Sequence, residues 1–501
     1  MTLAAVALFT TSLLTTLLSH RVSTYQYKAL LKTAGYSLLL ALVALLHFTG
    51  TVDTVSYILA VFFTALSLLI SVYTPLYAKS LHYPHGLELL VDGFLYSLIA
   101  AYIAPNLITL VSAWTLVEIL GFMLIKLGEE HSLEGPLTSS RGFLLASTTT
   151  YELSVFTFIA TSFLAMGVHP QLLLEPFTIT TQRIQIPNIV LPLILLGFLT
   201  KAAITPLHFW LPSAHSTAPS PASAALSGFT VALGYYGLYR VLHYIDLGEL
   251  TKYLGTTLVV LGLLSVLYGG IEALTQRDVK RLLAYSTILT NGFILTLFAL
   301  YILTRSQQVL VLVIAGILTQ ATYKTTLFCE AGLLEVLYET RYMHLVRGLL
   351  RALPISSVGG ILAVLSLIGV PGTLGFTLKI GSLYVTLNTL TVSFSVLVLL
   401  LVTLALYITL SAIIGVKYIT LYYTQPPRHI PIVRTASRLH QLPVALLGVT
   451  SVVVTPLFLS LTGYTQLAAI TAALTPIPLI TVYLVIHAAK IPLRGGEVTS
   501  T

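Results

Sequence analysis

The run Thr200–Gly228, TKAAITPLHFWLPSAHSTAPSPASAALSG, decides how the whole chain is read. Lys201 opens it inside an apolar segment, for after Asn188 the residues to Leu199 are only aliphatic, Phe, Pro and Gly. Pro206, Pro212, Pro219 and Pro221 follow, and in water these would break a helix. Within a bilayer such a break is tolerated only where protein or a water-filled cavity satisfies the freed backbone groups. A lysine at membrane depth costs roughly 2.5–3.5 kcal/mol, so it needs a polar partner or a hydrated path. The lysine, the broken helix, His208, His215 and the Ser/Thr-rich tail together read as a buried ion pathway. The alternative is a span end whose lysine snorkels to the interface.

Composition supplies the setting this reading requires. Of 501 residues, 56% are hydrophobic and only 8% charged, which provides many runs of about 20 apolar residues, the length that crosses a bilayer. The fold class is therefore an all-α polytopic membrane protein. A porin-type barrel is excluded because the apolar runs are long and continuous, not alternating. The net charge of +8 does not indicate nucleic acid, since the basic residues are spread over short loops and form no basic face. A single cysteine, Cys329, rules out an iron–sulfur ligand set or a haem attachment motif. No cofactor or metal is expected in this chain, and any redox chemistry belongs to another polypeptide. The first apolar run lacks a basic leader and a small-residue cleavage site, and is read as the first span.

Apolar windows give fifteen candidate helices, near 3–19, 30–48, 54–74, 87–104, 106–126, 142–167, 187–212, 220–244, 254–274, 281–303, 308–337, 354–387, 391–423, 443–464 and 466–489. Merging the last two leaves fourteen. The longest polar stretches, near 127–141, 168–186, 338–353 and 424–442, are too short for a soluble domain. Eighteen basic residues, among them Lys28, Lys32, Lys280, Arg428, Arg434 and the tail residue Arg494, fall after odd-numbered helices; only Arg183, Arg240, Lys252 and Arg305 fall after even-numbered ones. This asymmetry places the N-terminus outside and the C-terminus in the cytoplasm. Three lysines remain inside helices: Lys201, Lys324 and Lys379.

Glu118 lies about a dozen residues into the fifth helix, on the order of 18 Å along it at 1.5 Å per residue, near mid-bilayer. Lys324 sits in LVIAGILTQATYKTTLFCEAGLL, and Lys379 follows Pro371, Gly372 and Gly375 in helix twelve. Helices seven and twelve are thus alike, each with a proline break and a lysine, five helices apart. Weak recurrence of this kind accompanies inverted-repeat transporters. Buried lysine favours its neutral form and a nearby carboxylate restores the charge, so a row of lysines with one glutamate suits proton handling. For Glu118 and Lys201 alone, a static ion pair is the competing reading. A histidine relays protons near neutral pH, but His208 and His215 equally suit capping of broken backbone. The charged run Gln276–Arg281 reads either as part of the pathway or as a topology anchor, and Glu152, Glu272 and Glu330 are left between structural and functional roles.

These residues resemble the antiporter-like membrane subunits of respiratory complex I, a family shared with Mrp cation/proton antiporters and membrane-bound hydrogenases. KAAITPLHFWLPSAHSTAPSPASA carries the resemblance, joined in order by WTLVE at 114–118, QRDVKRLLAYSTI at 276–288, QATYKTTLF at 320–328 and GVPGTLGFTLK at 369–379. The resemblance implies two inverted five-helix repeats with discontinuous helices seven and twelve. That gives N-terminal helices over 1–86, an entry half-channel over 87–244, an exit half-channel over 254–423 and C-terminal helices over 424–501. It implies that Glu118 pairs with Lys201 at entry, that Lys324 is the central relay and that Lys379 ends the exit half. Partners would be further membrane subunits and a peripheral redox arm, and the ion a proton or Na+. Two departures stand out: Ala232 occupies helix eight where the family often has a lysine or histidine, so that either Tyr235, Tyr236 and water substitute or the path is interrupted and the chain is a structural member of the array, and Gln320 replaces a histidine four residues before Lys324.

Overall fold

Prolines, glycines and capping side chains set the joints of this helical chain. A computed structural model describes residues 3–84, 86–131, 138–166, 174–178, 183–389, 392–423 and 436–490. Arg428, Arg434 and Arg494 lie outside the described residues, as do most of the polar stretches near 168–186 and 424–442. The helices are α1 (Leu3–Ser19), α2 (Tyr25–Phe48), α3 (Thr54–Ser80), α4 (Gly86–Tyr102) and α5 (Leu107–Glu130). Helix α6 runs through Ser139–Phe143, a π-helical turn Leu144–Thr148 and Thr149–Met166. Helix α7 is broken into α7a (Leu191–Lys201) and α7b (Trp210–Thr217). Helix α8 has a second π-helical turn, Leu226–Thr230, between Ser220–Ala225 and Val231–Tyr244. Then come α9 (Leu250–Thr275), α10 (Val279–Thr304), α11 (Gln307–Tyr338), α12a (Pro354–Ile368), α12b (Leu374–Asn388), α13 (Phe394–Tyr423) and α14 (Arg438–Leu461). The last, α15, comprises Thr465–Leu474 and Pro476–Lys490.

Local chemistry explains the boundaries. Asp53, Asp278 and Ser437 cap α3, α10 and α14 by accepting hydrogen bonds from backbone N–H groups three residues on. Asn106 and Thr109 form a reciprocal capping box at the start of α5. Gly369 and Gly372, both at φ +89°, turn the chain between α12a and α12b in a conformation that side chains disfavour. A turn with Gly463 at φ +84° separates α14 from α15, so the final two windows are distinct helices.

Among the described residues, ten helices are long and apolar enough to cross a membrane, and the chain is a multi-pass membrane protein. Helix α11 is the pillar of the bundle: 94% of its apolar window is buried, against 17% for the peripheral α15. It packs on α3, α8, α10, both halves of α12 and α14. Helices α12a and α14 touch backbone to backbone, since a Cβ on Gly448 would collide with the carbonyl of Gly359. The breaks in α7 and α12 fall in the two windows expected to be discontinuous, five helices apart.

One expectation needs correction. Lys201, Lys324 and Lys379 are not the only basic residues buried within helices. Lys32 (0% exposed) lies inside α2, Arg240 (6%) inside α8 and Lys280 (1%) in the first turn of α10. Each stands within two turns of a helix end, where a sequence alone does not separate a snorkelling anchor from a buried charge.

Candidate functional site

Lys201 is the last residue of α7a, and its side chain reaches α5 and α6. Its Nζ donates to Glu118 Oε1 at 2.6 Å and to Ser147 Oγ at 3.1 Å. Ser147 in turn donates to Glu118 Oε2 at 3.2 Å, and Trp114 Nε1 donates to Oε1 at 2.9 Å. Thr148 adds a donor at 3.3 Å. Ser147 and Thr148 belong to the π-helical turn of α6, and such turns recur at functional sites. The phenyl ring of Phe143 lies 5.0 Å from Nζ and closes one side. Carboxylate, lysine and serine form a fully buried triad, with each partner satisfied.

The break that follows is stapled by neutral donors. Trp210 Nε1 crosses it to the carbonyl of Thr200 at 2.9 Å, and Asn291 Nδ2 holds the carbonyl of Ala202 at 2.6 Å. Thr205 N donates to Ser265 Oγ at 2.9 Å. The two histidines of the stretch separate here. His208 sits on the outer side against Tyr268, with ring centroids 4.5 Å apart, in a cleft with Arg281 and Tyr285. His215 on α7b is fully buried between the rings of Trp210 and Phe328, and among the described residues neither of its ring nitrogens has a hydrogen-bond partner. Its charged neighbours are Lys324, Lys280 and Lys201, which makes it the histidine placed among the lysines.

Lys324 projects from α11 to α10, where Nζ donates to the carbonyl of Leu283 and to Ser286 Oγ. The adjoining Thr287 hydroxyl shares the Leu283 carbonyl at 2.9 Å and meets Ser227 Oγ at 2.8 Å. Ser227 lies in the π-helical turn of α8, and its carbonyl accepts from Gln320 Nε2 at 3.2 Å. Helix α8 is therefore linked to Lys324 by hydroxyls and an amide at Ser227, and Ala232 bears no part of it. Tyr235 bonds the Asn291 carbonyl at 2.5 Å, next to the α7 break. Tyr236 points elsewhere: its hydroxyl meets Ser56 Oγ at 2.8 Å, the Arg240 guanidinium at 3.1 Å and the Tyr102 carbonyl at 3.1 Å. Tyr236→Phe should thus cost about 1 kcal/mol of stability and leave ion flux unchanged; a loss of flux comparable to that of a Lys201 variant would put Tyr236 on the path.

Lys379 stands on α12b and closes the second break. Nζ donates to the last carbonyls of α12a, Leu367 at 2.9 Å and Ile368 at 2.7 Å, and to Ser411 Oγ of α13 at 2.8 Å. An ammonium there complements the negative end of the half-helix. Among the described residues, no carboxylate lies within ion-pair distance of Lys324 or Lys379. Glu330 on α11 is the converse, a fully buried carboxyl receiving Tyr418 at 3.2 Å and Tyr422 at 2.5 Å. Glu152, by contrast, is exposed on α6, and Glu272 is half-buried.

The charged run at the start of α10 proves to be more than a surface anchor. Lys280 Nζ pairs with Glu335 Oε1 at 2.8 Å and donates to the Ala218 carbonyl at 3.0 Å, beside α7b. Arg341 bridges Asp278 at 3.1 Å and Glu335 at 3.4 Å. These groups line an open cavity of about 470 Å³. Arg240 pairs with Asp53 at the opposite end of α8. Burial alone would favour the neutral acid, but Arg240 outweighs it and holds the Asp53 carboxyl below its ordinary value. The contribution of this pair is present at neutral pH and is lost as pH falls through that lowered value. Sequence reasoning missed Glu335, Asp53 and Arg240, although a charged residue close to a helix end of apolar composition was the signal available.

Comparison with known proteins places this arrangement. The protein-family description "NADH:quinone oxidoreductase/Mrp antiporter, TM" matches residues 104–406. A putative antiporter subunit, mnhA2, of Staphylococcus epidermidis is 31% identical over 299 residues, which cover 57% of this chain and 36% of the relative. The chain thus spans about a third of the length of the curated relatives it matches first. Among solved structures, a chain of the Mrp complex from Dietzia sp. DQ12-45-1b superposes with a TM-score of 0.71 at 18% identity, covering 98% of this chain and all of the other. A chain of respiratory complex I from Thermus thermophilus gives 0.67 at 22% identity, covering 90% and 96%. At these identities the structural likeness speaks for the fold.

Proposed function

The chain belongs to the NADH:quinone oxidoreductase/Mrp antiporter transmembrane family, and from that premise we propose that it moves protons, or exchanges them for sodium, within a larger membrane complex driven by redox chemistry elsewhere. It is an antiporter-like subunit of the superfamily that includes complex I, Mrp antiporters and hydrogenases. The observation that carries the proposal is the row of buried side chains Glu118–Lys201, His215, Lys324 and Lys379, with the two broken helices and both π-helical turns arranged along it. Glu118 and Lys201 form the entry pair, Lys324 the central relay and Lys379 the exit group. The two halves, α4–α8 and α9–α13, would then be inverted copies, and the positive charges near odd-numbered helix ends support a cytoplasmic C-terminus. Redox centres would sit on a partner subunit.

A second reading, a subunit of a stand-alone cation/proton antiporter, is supported by the relative named as an antiporter subunit. Purification of the native complex separates the two. Iron–sulfur or nickel–iron subunits accompany the chain on the first reading, and proton flux requires electron transfer. On the second, a sodium gradient alone drives proton flux and no redox subunit is present. A complex that moves neither ion under either drive would sink both.

A further inference from the structure

Outside the residues matched to the family lies a second buried constellation of charge, at the ends of α1, α2 and α4. Lys32 Nζ donates to Asp92 Oδ2 at 2.5 Å and to Ser71 Oγ at 3.1 Å, and Ser71 donates to the other oxygen of Asp92. Carboxylate, lysine and bridging serine repeat the grouping of Glu118, Lys201 and Ser147 on different helices. Closer to the surface, Lys28 Nζ grips both oxygens of Glu88, at 2.8 and 3.0 Å. His20, in the turn just after α1, lies between the two pairs, with Nδ1 3.7 Å from Glu88 and Nε2 3.2 Å from Asp92. Its side chain keeps 16% of its surface open, whereas Lys32 and Asp92 are closed off at 0% and 3%.

We propose that His20, Glu88 and Asp92 form a proton-loading site, in which the imidazole takes a proton from solvent at the protein surface and holds it between two carboxylates above the Lys32–Asp92 pair. The charge count supports this. Lys28 and Lys32 balance Glu88 and Asp92, so a neutral His20 leaves the cluster neutral and a protonated one adds a single positive charge facing both acids. Besides these five groups, the side chains facing the site among the described residues are Tyr36 of α2, which donates to Asp92 Oδ1 at 3.2 Å, and Tyr96 of α4, whose ring lies 5.2 Å from that of Tyr36. From α3 only Ser71 enters, and it does not titrate. Burial of the ring opposes charge, yet the two carboxylates prevail and the His20 pKa stands above its ordinary value. From Tyr96 the polar groups continue inward through Ser12 and Thr16, each 2.8 Å from its hydroxyl. A cluster serving only to tie helices together has no need of an imidazole open to water.

The test is a histidine NMR titration of the full chain in lipid vesicles, with the His20 signal assigned by its loss in His20→Gln. The expected result is titration above the ordinary value of about 6.5, falling by about one unit or more in Asp92→Asn. Glu88→Gln gives the same direction of shift should Asp92→Asn fail to fold. Titration at or below the ordinary value, or no movement in either variant, overturns the site. The titration needs no transport, so its failure is distinct from failure of the translocation reading. In flux assays the loading role predicts that His20→Gln loses flux chiefly at the alkaline end of the profile, moving the pH of half-maximal flux toward acid. An unmoved profile overturns that role.

Discussion

Replacing Lys324 with alanine lowers ion flux by about 100-fold or more, the range expected when a positioned proton-transfer group is lost, while the protein stays assembled. The reason lies in what the lysine does and does not touch. Its partners, the Leu283 carbonyl and the Ser286 hydroxyl, are neutral, and among the described residues no carboxylate pairs with it. Removing it therefore strands no buried charge. What it removes is the basic group on the central pillar at the point where α10, α8 and α11 are joined through Thr287, Ser227 and Gln320. Lys324→Arg should fail as well, because a guanidinium does not release its proton in a protein. Proton and sodium flux into vesicles, read beside the size-exclusion profile of the complex, decide the matter. Unchanged flux in an assembled complex would mean that ions pass by another route.

Glu118→Ala should behave differently, costing about 3–5 kcal/mol of stability, the usual loss when one partner of a buried pair is deleted. Lys201 would keep only Ser147 as a partner in a pocket otherwise lined by Phe143 and Trp210. The double variant Glu118→Leu/Lys201→Met removes both charges and restores apolar volume, so most of that stability returns. Flux does not return, since the entry pair is gone. Thermal unfolding of the three proteins, set against their fluxes, separates a structural ion pair from a working one. A double variant with wild-type flux would reduce the pair to helix glue.

Much of this was legible in the sequence, and the remainder was hidden for definite reasons. The spans could be read because a bilayer demands long apolar runs, and the two breaks because proline and glycine interrupt only two of the helical windows beside a lysine. Glu118 and Lys201, 83 residues apart, could be matched because each is a lone charge at mid-span. Lys32 and Asp92 could not, because both lie near helix ends where charges are ordinary. Lys280 and Glu335 were obscured in the same way, their cluster sharing a charged run with true loop residues. The π-helical turns of α6 and α8 had no signature at all. No residue type demands the extra residue per turn, yet these turns set Ser147 and Ser227 where they are. Tyr236 reads as a candidate relay because an aromatic hydroxyl beside a gap in the lysine row looks the same in sequence whether it faces the gap or, as here, Arg240.

The two interrupted helices are held shut by different hardware. Across the gap in α7, indole, amide and hydroxyl groups clasp the chain, and no change of pH within the physiological range alters any of them. Across the gap in α12 the clasp is the Lys379 ammonium on two carbonyls. The first joint is a weld; the second is a latch, since its clasp rests on a group able to carry or release a proton.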